Sequence, residues 1–336
     1  MVTRRSWWAL GAGVVLAGIL LWWVLRDVHW GDLRAQISAA SPTLIVLAVA
    51  LATATFPLRL IRWRLLLRAD DGSALPPLPL WHAIAMGFMA NNILPFRMGE
   101  LMRTYAASRL AGARFSASLS SVAVERVFDA LTVVALLGAG LLLAGLPTGV
   151  ELFGTPVARV ATVSGVLVIA ALAAGIGVVS FPRAAERVIR RLVPGESLAS
   201  RLIRLVEGIR HGLGVLRSPG RAGAVVLWSI VIWLVNAASF WVMLRAFSLP
   251  VGFAGALLMQ GVLVLGIAAP TTPGFVGVFE AIIKAVLLLF GVASDRAVAY
   301  AVTYHLTTFL PIVLLGVWSL LRTSVQIGAL RNAPPA

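Results

Sequence analysis

The chain has 336 residues, 60% of them hydrophobic and 12% charged, with no cysteine and a formal net charge of +15. Soluble domains run at about 45–50% apolar and about 25% charged, so this apolar surplus cannot be buried in a water-soluble core. Missing cysteine excludes disulfides, thiol catalysis and thiolate metal sites, and arginines placed beside apolar runs argue for membrane topology rather than nucleic-acid binding.

Arg4 and Arg5 precede an apolar run from Trp7 to Leu25. A bilayer-crossing helix needs about 20 such residues, whereas a signal peptide has a core of about 7–15. Residues 1–40 are therefore read as an uncleaved anchor span with its N-terminus in the cytoplasm, where arginine is retained. Arg26, Asp27, Asp32 and Arg34 cancel and mark the outer side. A second span, Leu44 to Leu58, returns to a cytoplasmic set of Arg59, Arg62, Arg64 and Arg68.

The next apolar stretch, Trp81 to Pro95, is short and carries Asn91 and Asn92 near its end. Arg97, Arg103, Arg109 and Arg114 follow, and a full crossing would strand them outside. A re-entrant hairpin over about 78–113 satisfies the charge rule, because irregular backbone is allowed at depth when protein or a wet cavity surrounds it. Spans at 127–143 and 157–181 come next, and 183–221 then carries nine arginines against Glu186, Glu196 and Glu207. Its apolar residues recur at helical spacing, as in an amphipathic helix at the headgroup boundary or a connecting helix packed on the bundle.

A span at 222–244 leads out to Pro250, and a last one at 298–321 returns to Arg322 and Arg331. Between them, 254–269 and 275–290 are split by Pro270-Thr271-Thr272-Pro273-Gly274, where proline removes a backbone donor and glycine loosens the helix. The fold class is thus an all-α polytopic transmembrane bundle of about six full spans and two re-entrant or discontinuous helix pairs. One membrane domain, 1–336, divides into the anchor, a first repeat (41–145), a connecting span with the basic segment (146–221), a second repeat (222–322) and a cytoplasmic tail (323–336).

The two breaks resemble each other. Pro95, Gly99 and Glu100 in the first are matched by Pro273, Gly274, Gly277 and Glu280 in the second, and the hairpins enter from opposite faces. Those are marks of an inverted repeat, in which half-helix N-termini offer positive dipole ends to an anion. Pro-Gly breaks also arise in unrelated membrane helices.

Ionisable residues inside spans need a partner or a role. Lys284, the sole lysine, stands four residues after Glu280, so the two share a helix face, either as a neutralised structural pair or as a site. Glu125 and Asp129 also share a face, at the inner start of a span, and Arg126 lies between them. If they meet Arg97, Glu100 and Arg103 of the first break, carboxylates hold a fork of arginines able to grip phosphate. The alternative is a set of arginines paired for topology. His305 is a candidate proton relay or, more simply, a hydrogen-bonded bundle histidine; Asn236 and Gln260 read as interhelical glue.

No nucleotide, metalloprotease or serine-hydrolase motif is evident, and no cofactor or metal is expected. Arg62-Trp63-Arg64, Asn91-Asn92-Ile93-Leu94-Pro95 with Gly99, Glu100 and Arg103, Glu125-Arg126 with Asp129, and Pro273-Gly274 with Gly277 and Glu280 together resemble the membrane domain of the bacterial lysylphosphatidylglycerol synthase/flippase family. The resemblance covers most of the chain and implies re-entrant helices around a cavity that handles lipids. It extends to aminoacylated phosphatidylglycerol, hopanoids and polyprenyl-linked sugars as cargo classes. No counterpart of that family's soluble aminoacyl-transfer domain is seen, so lysyl transfer is not expected.

The reading that follows is a non-enzymatic lipid flippase of the bacterial inner membrane, with both termini cytoplasmic. Its cargo is an anionic phospholipid or polyprenyl-phosphate-linked lipid, held by Asn91, Asn92, Arg97, Glu100, Arg103, Glu125, Arg126, Asp129, Glu280 and Lys284. Pro95, Gly99, Pro273, Gly274 and Gly277 serve as hinges. The alternative is a membrane-embedded glycosyl- or aminoacyl-transferase, or its non-catalytic subunit. Expected partners are membrane lipids and either a second copy or a separate lipid-modifying enzyme, with no nucleic acid.

Overall fold

A computed structural model describes residues 30–323 with gaps at 70, 95–97, 147–148, 150, 153 and 269–271, and only scattered positions within 157–181 and 194–217. Ahead of residue 30 only Ile19 and Trp22 are described. Ten helices occur among these residues: α1 (Trp30–Ala39), α2 (Pro42–Leu66), α3 (Pro77–Ile93), α4 (Gly99–Ala111), α5 (Phe115–Leu143), α6 (Pro182–Leu192), α7 (Pro219–Ala246), α8 (Phe253–Gly266), α9 (Val278–Leu289) and α10 (Ser294–Arg322). A two-residue hairpin, β1 (Glu151–Leu152) with β2 (Thr155–Pro156), is the sole sheet among the described residues.

Four helices are long and apolar enough to cross a bilayer: α2, α5, α7 and α10. Their lipid-compatible faces carry exposed Val46, Leu142, Leu227 and Leu314, which in water would be a liability. The chain is a multi-pass helical membrane protein. The two further spans expected at 7–25 and 157–181 fall largely outside the described residues.

Local sequence explains where the helices stop. Leu94, the last residue before Pro95, takes an extended backbone (φ −90°, ψ 144°), as the proline ring demands of its predecessor, and α3 ends there. Gly112 closes α4 in the left-handed region at φ 67°, a conformation that suits glycine. The second break is a short 3-10 turn, Pro273–Phe275, with Gly274 at φ 64°. Gly277 at φ 82° then starts α9, and its N–H donates to the Glu280 side chain at 2.7 Å, the half of a capping box that a glycine N-cap can make.

The element order of the two halves is the same. A long helix (α2 or α7), a short pair split by a break (α3–α4 or α8–α9) and another long helix (α5 or α10) occur in each. Packing is reciprocal as well: α2 lies against α7, α5 of the first half packs on α8 of the second, and α10 of the second packs on α3 of the first. Glycines let these backbones approach. A Cβ on Gly140 would meet the Leu258 backbone nitrogen at 2.7 Å, one on Gly261 would meet Leu137, and one on Gly316 would run into Met89.

One boundary differs in a way that matters. The span expected at 127–143 belongs to a 29-residue helix that begins at Phe115. Its first half is polar, with Ser118, Ser120, Ser121, Glu125 and Asp129 all buried, so it faces protein instead of lipid. Hydropathy sees the lipid-facing half and misses the other.

Candidate site: a buried arginine–carboxylate cluster

Glu125 and Asp129 stand one turn apart on α5, both buried, and three other helices supply what they hold. From α4, Arg103 grips Glu125 with both arms, Nη1 to Oε1 at 2.8 Å and Nη2 to Oε2 at 3.0 Å. From α2, Arg62 donates to Asp129 Oδ1 at 2.6 Å and places its other arm 3.3 Å from Glu125 Oε1. Arg126 Nη2 bridges the two acids at 2.8 Å and 3.2 Å. From α7, Ser229 accepts from Arg62 at 2.8 Å and the Trp233 indole N–H donates to Asp129 Oδ1 at 2.9 Å.

Aromatic faces complete the enclosure. Arg103 lies 3.8 Å over the Trp63 ring, whose indole N–H is itself satisfied by Ser121. Arg59 sits between Phe88 and Trp233 at 5.0 Å and 5.6 Å, geometry that suits a guanidinium. It is the loosest member: Nη1 is 3.8 Å from Asp129 Oδ2 and makes no hydrogen bond.

Counting charge gives the cluster its chemistry. Four guanidiniums, Arg59, Arg62, Arg103 and Arg126, surround two carboxylates, an excess of two positive charges in a low-dielectric setting. A buried ion pair loses hydration on both partners, and unpaired surplus charge is costlier still. Such an excess attracts an anion. Beside the cluster opens a small cavity of about 10 Å³, lined by Gly87, Phe88, Asn91, Gly99, Glu100, Arg103 and Arg126. Arg126 is the most accessible arm of the set, its side chain 35% accessible, against 4% for Arg103 and none for Arg62.

The first break builds the cavity wall. Asn91 near the end of α3 accepts the Gly99 N–H at 2.8 Å and turns its amide toward Glu100 Oε1 at 3.4 Å. A Cβ on Gly99 would collide with the Gly87 carbonyl and with Asn91, so glycine is what lets α3 and α4 close up. Glu100 brings one negative charge to the rim, reducing the local excess to one.

Seven of the expected residues therefore converge here: Asn91, Gly99, Glu100, Arg103, Glu125, Arg126 and Asp129. Asn92 is half-buried beside them, and Pro95 and Arg97 lie outside the described residues. Glu280 and Lys284 are buried on α9, which packs on α8 and α10 rather than on the arginine-bearing helices. Glu280 thus stands apart from the arginine cluster, its two oxygens going to His305 Nδ1 at 2.6 Å and to the Gly277 N–H at 2.7 Å. Pro273, Gly274 and Gly277 form the second break, which meets the first: a Cβ on Gly274 would stand 3.4 Å from the Asn92 carbonyl. Gln260 donates to the Trp233 carbonyl, as interhelical glue does.

Arg59 and Arg62 are the residues that sequence reasoning misplaced. Both had the look of loop arginines, yet α2 continues to Leu66 and buries them. Their i, i+3 spacing, inside a helix and ahead of Arg64 and Arg68, was the available signal. Nothing in the sequence singled out Ser229 or Trp233.

A polytopic helix bundle with a buried arginine–carboxylate cluster under a broken helix pair is the class of protein this site defines. The chain belongs to the family described as the lysylphosphatidylglycerol synthase TM region, matching it over residues 10–316. It is 28% identical to the Glycosyltransferase AglD of Haloferax volcanii, across 96% of this chain and 58% of that relative's length. It is 27% identical to a UPF0104 membrane protein of Methanothermobacter thermautotrophicus, across 69% of this chain and 70% of the relative. The chain thus spans little more than half of the first relative, and membership of the family ties it to membrane-lipid function.

Proposed function

We propose that this chain is a lipid flippase of the bacterial inner membrane, with cytoplasmic termini, that passes an anionic headgroup through the cavity beneath the first break. The observation that carries this reading is the surplus of buried positive charge beside an opening lined by Asn91, Glu100, Arg103 and Arg126. A phosphate oxygen at Arg126 exchanges one charge-assisted contact for another, because the guanidinium leaves Asp129 or Glu125 as it takes the phosphate. Asp129 and Glu125 then reclaim it when the headgroup leaves. The cargo is an anionic phospholipid or a polyprenyl-phosphate-linked lipid, and Glu100 keeps the site from closing permanently on a polyanion.

The direct test is flux in vesicles. Purified protein in phosphatidylcholine vesicles with acyl-NBD phosphatidylglycerol should make the inner-leaflet label accessible to dithionite, and an Arg126→Ala variant should not. Equal rates for both proteins, or for protein-free vesicles, reject the reading.

A second reading is a membrane-embedded transferase acting on a lipid carrier, or a subunit of one, with Glu125 or Asp129 as base. It is favoured by the relative named a glycosyltransferase. Against it, both carboxylates are already engaged by arginine, Glu125 by Arg103 at 2.8 Å and Asp129 by Arg62 at 2.6 Å. Covalent product formed by the purified protein from a sugar-nucleotide donor would decide for this reading.

A further inference from the structure

The second break holds a buried acid–imidazole pair that the headgroup site does not use. Glu280 on α9 and His305 on α10 are 4% and 7% exposed, with His305 Nδ1 2.6 Å from Glu280 Oε1. Phe279 stacks on the imidazole at 4.3 Å and Phe309 meets its edge at 5.9 Å, so the ring is fixed against the carboxylate. The other oxygen of Glu280 accepts the Gly277 N–H at 2.7 Å, capping α9 at the break.

Resting on the flippase reading, we propose that Glu280 and His305 together hold a transferable proton and couple its movement to the headgroup cavity. One proton is taken onto the pair from one aqueous face and released from it to the other; no other bond forms or breaks. Ionised, Glu280 caps α9 through a charge-assisted bond, roughly twice as strong as the neutral one it makes when protonated. The protonation state thus sets how firmly Gly277 holds the turn at 273–275.

That turn is where the two breaks touch. Gly274, in the left-handed region, lies beside both Phe309, which edges onto His305, and the carbonyl of Asn92. Asn91, the next residue back along α3, binds the Gly99 N–H and lines the headgroup cavity. A physical path runs from the pair through Gly277 and Gly274 to Asn92 and Asn91. In this proposal the break is the element that shifts, tied by Thr272 Oγ1 donating to the Val276 carbonyl and by the Gly277 N–H donating to Glu280.

Among the described residues, the elements packed around the pair bring the following charges. On α9, Lys284 stands one turn beyond Glu280; α8, packed on α9, carries no ionisable residue, and β1 brings an exposed Glu151. On α10, the Tyr304 hydroxyl is engaged with Ser239, Arg296 donates to the Phe247 carbonyl, and Asp295 starts the helix. Against α10, α3 brings His82, bonded to Ser319, while α2 brings the clustered Arg59 and Arg62 with Arg64 beyond them. α1 brings Asp32 and an exposed Arg34, and α7 the exposed Arg221 and Arg245.

The experiment is acyl-NBD phosphatidylglycerol flux in phosphatidylcholine vesicles with and without an imposed gradient of one pH unit, with internal pyranine reporting protons. A gradient of that size is worth about tenfold in distribution. Wild type should run faster down the proton gradient and alkalinise or acidify the lumen as lipid moves. Glu280→Gln preserves the cap acceptor but cannot carry the proton, and His305→Gln removes the imidazole. Both should keep gradient-independent flux and lose the stimulation. Wild-type flux indifferent to the gradient and silent in pyranine overturns the proposal while leaving the flippase reading intact, and so do variants that keep the wild-type stimulation. Absence of flux under any gradient overturns the flippase reading and this one with it.

Discussion

Arg103 on α4 and Glu125 on α5 meet as a two-armed pair, at 2.8 Å and 3.0 Å, with the guanidinium face 3.8 Å over Trp63. The pair pins the returning half of the first hairpin to the helix that bears both buried acids. Removing one partner of such a pair leaves a bare buried charge, at about 3–5 kcal/mol, whereas replacing both by apolar groups of similar volume is often tolerated. Glu125→Ala should therefore lower the detergent melting temperature sharply, and Arg103→Met with Glu125→Met should recover much of the loss. A double variant less stable than either single one would contradict this.

Arg126 should behave differently from its neighbours. Its side chain is partly accessible, and the acids it touches keep Arg62 and Arg103 when it is gone. A charged hydrogen bond is worth about 1.5–3 kcal/mol, so Arg126→Ala should weaken headgroup affinity about ten- to a hundredfold with little loss of stability. Arg126→Lys should restore charge without the fork and recover only part. Flux and melting temperature measured on the same preparations separate the two effects.

Much of this fold was legible from the chain. Pro95 and Pro273 marked both breaks, because a missing donor and a constrained predecessor leave helices little choice. Glu125, Arg126 and Asp129 stand out in the chain because charges inside spans need partners. The arginine partners on α2 were hidden for the opposite reason: Arg59 and Arg62 end an apolar run, where positive residues normally mark a loop. Only tertiary packing decides that they turn inward, and only packing could set Glu280 on His305, a residue 25 positions away.

Two glycines on α5, one turn-half apart, give a clean steric contrast. Gly138 has open space where a Cβ would go, so Gly138→Ala should be neutral or add about 0.5–1 kcal/mol through lower chain entropy. Gly140 faces the Leu258 nitrogen at 2.7 Å and the Ala254 carbonyl at 3.0 Å, backbone atoms that cannot rotate away. Gly140→Ala should cost about 1–3 kcal/mol by forcing α5 off α8. Thermal unfolding of both variants in one detergent checks the pair.

Trp233 ties the cluster to the opposite half, since its indole N–H is on Asp129 Oδ1 and its backbone carbonyl holds Gln260 of α8. Trp233→Phe keeps an aromatic face for Arg59 and removes the donor, leaving Asp129 Oδ1 with Arg62 alone. The loss should be about 1–2 kcal/mol, that of one hydrogen bond to a charged group offset by the retained ring. Trp233→Ala removes both and should cost more, about 3–5 kcal/mol. If the Asp129 bond is what matters for cargo, Trp233→Phe should also alter flux, because a less tethered Asp129 competes harder for Arg126. Equal flux in wild type and Trp233→Phe, alongside the expected fall in stability, would mean that Trp233 holds the two halves together and leaves Arg126 untouched.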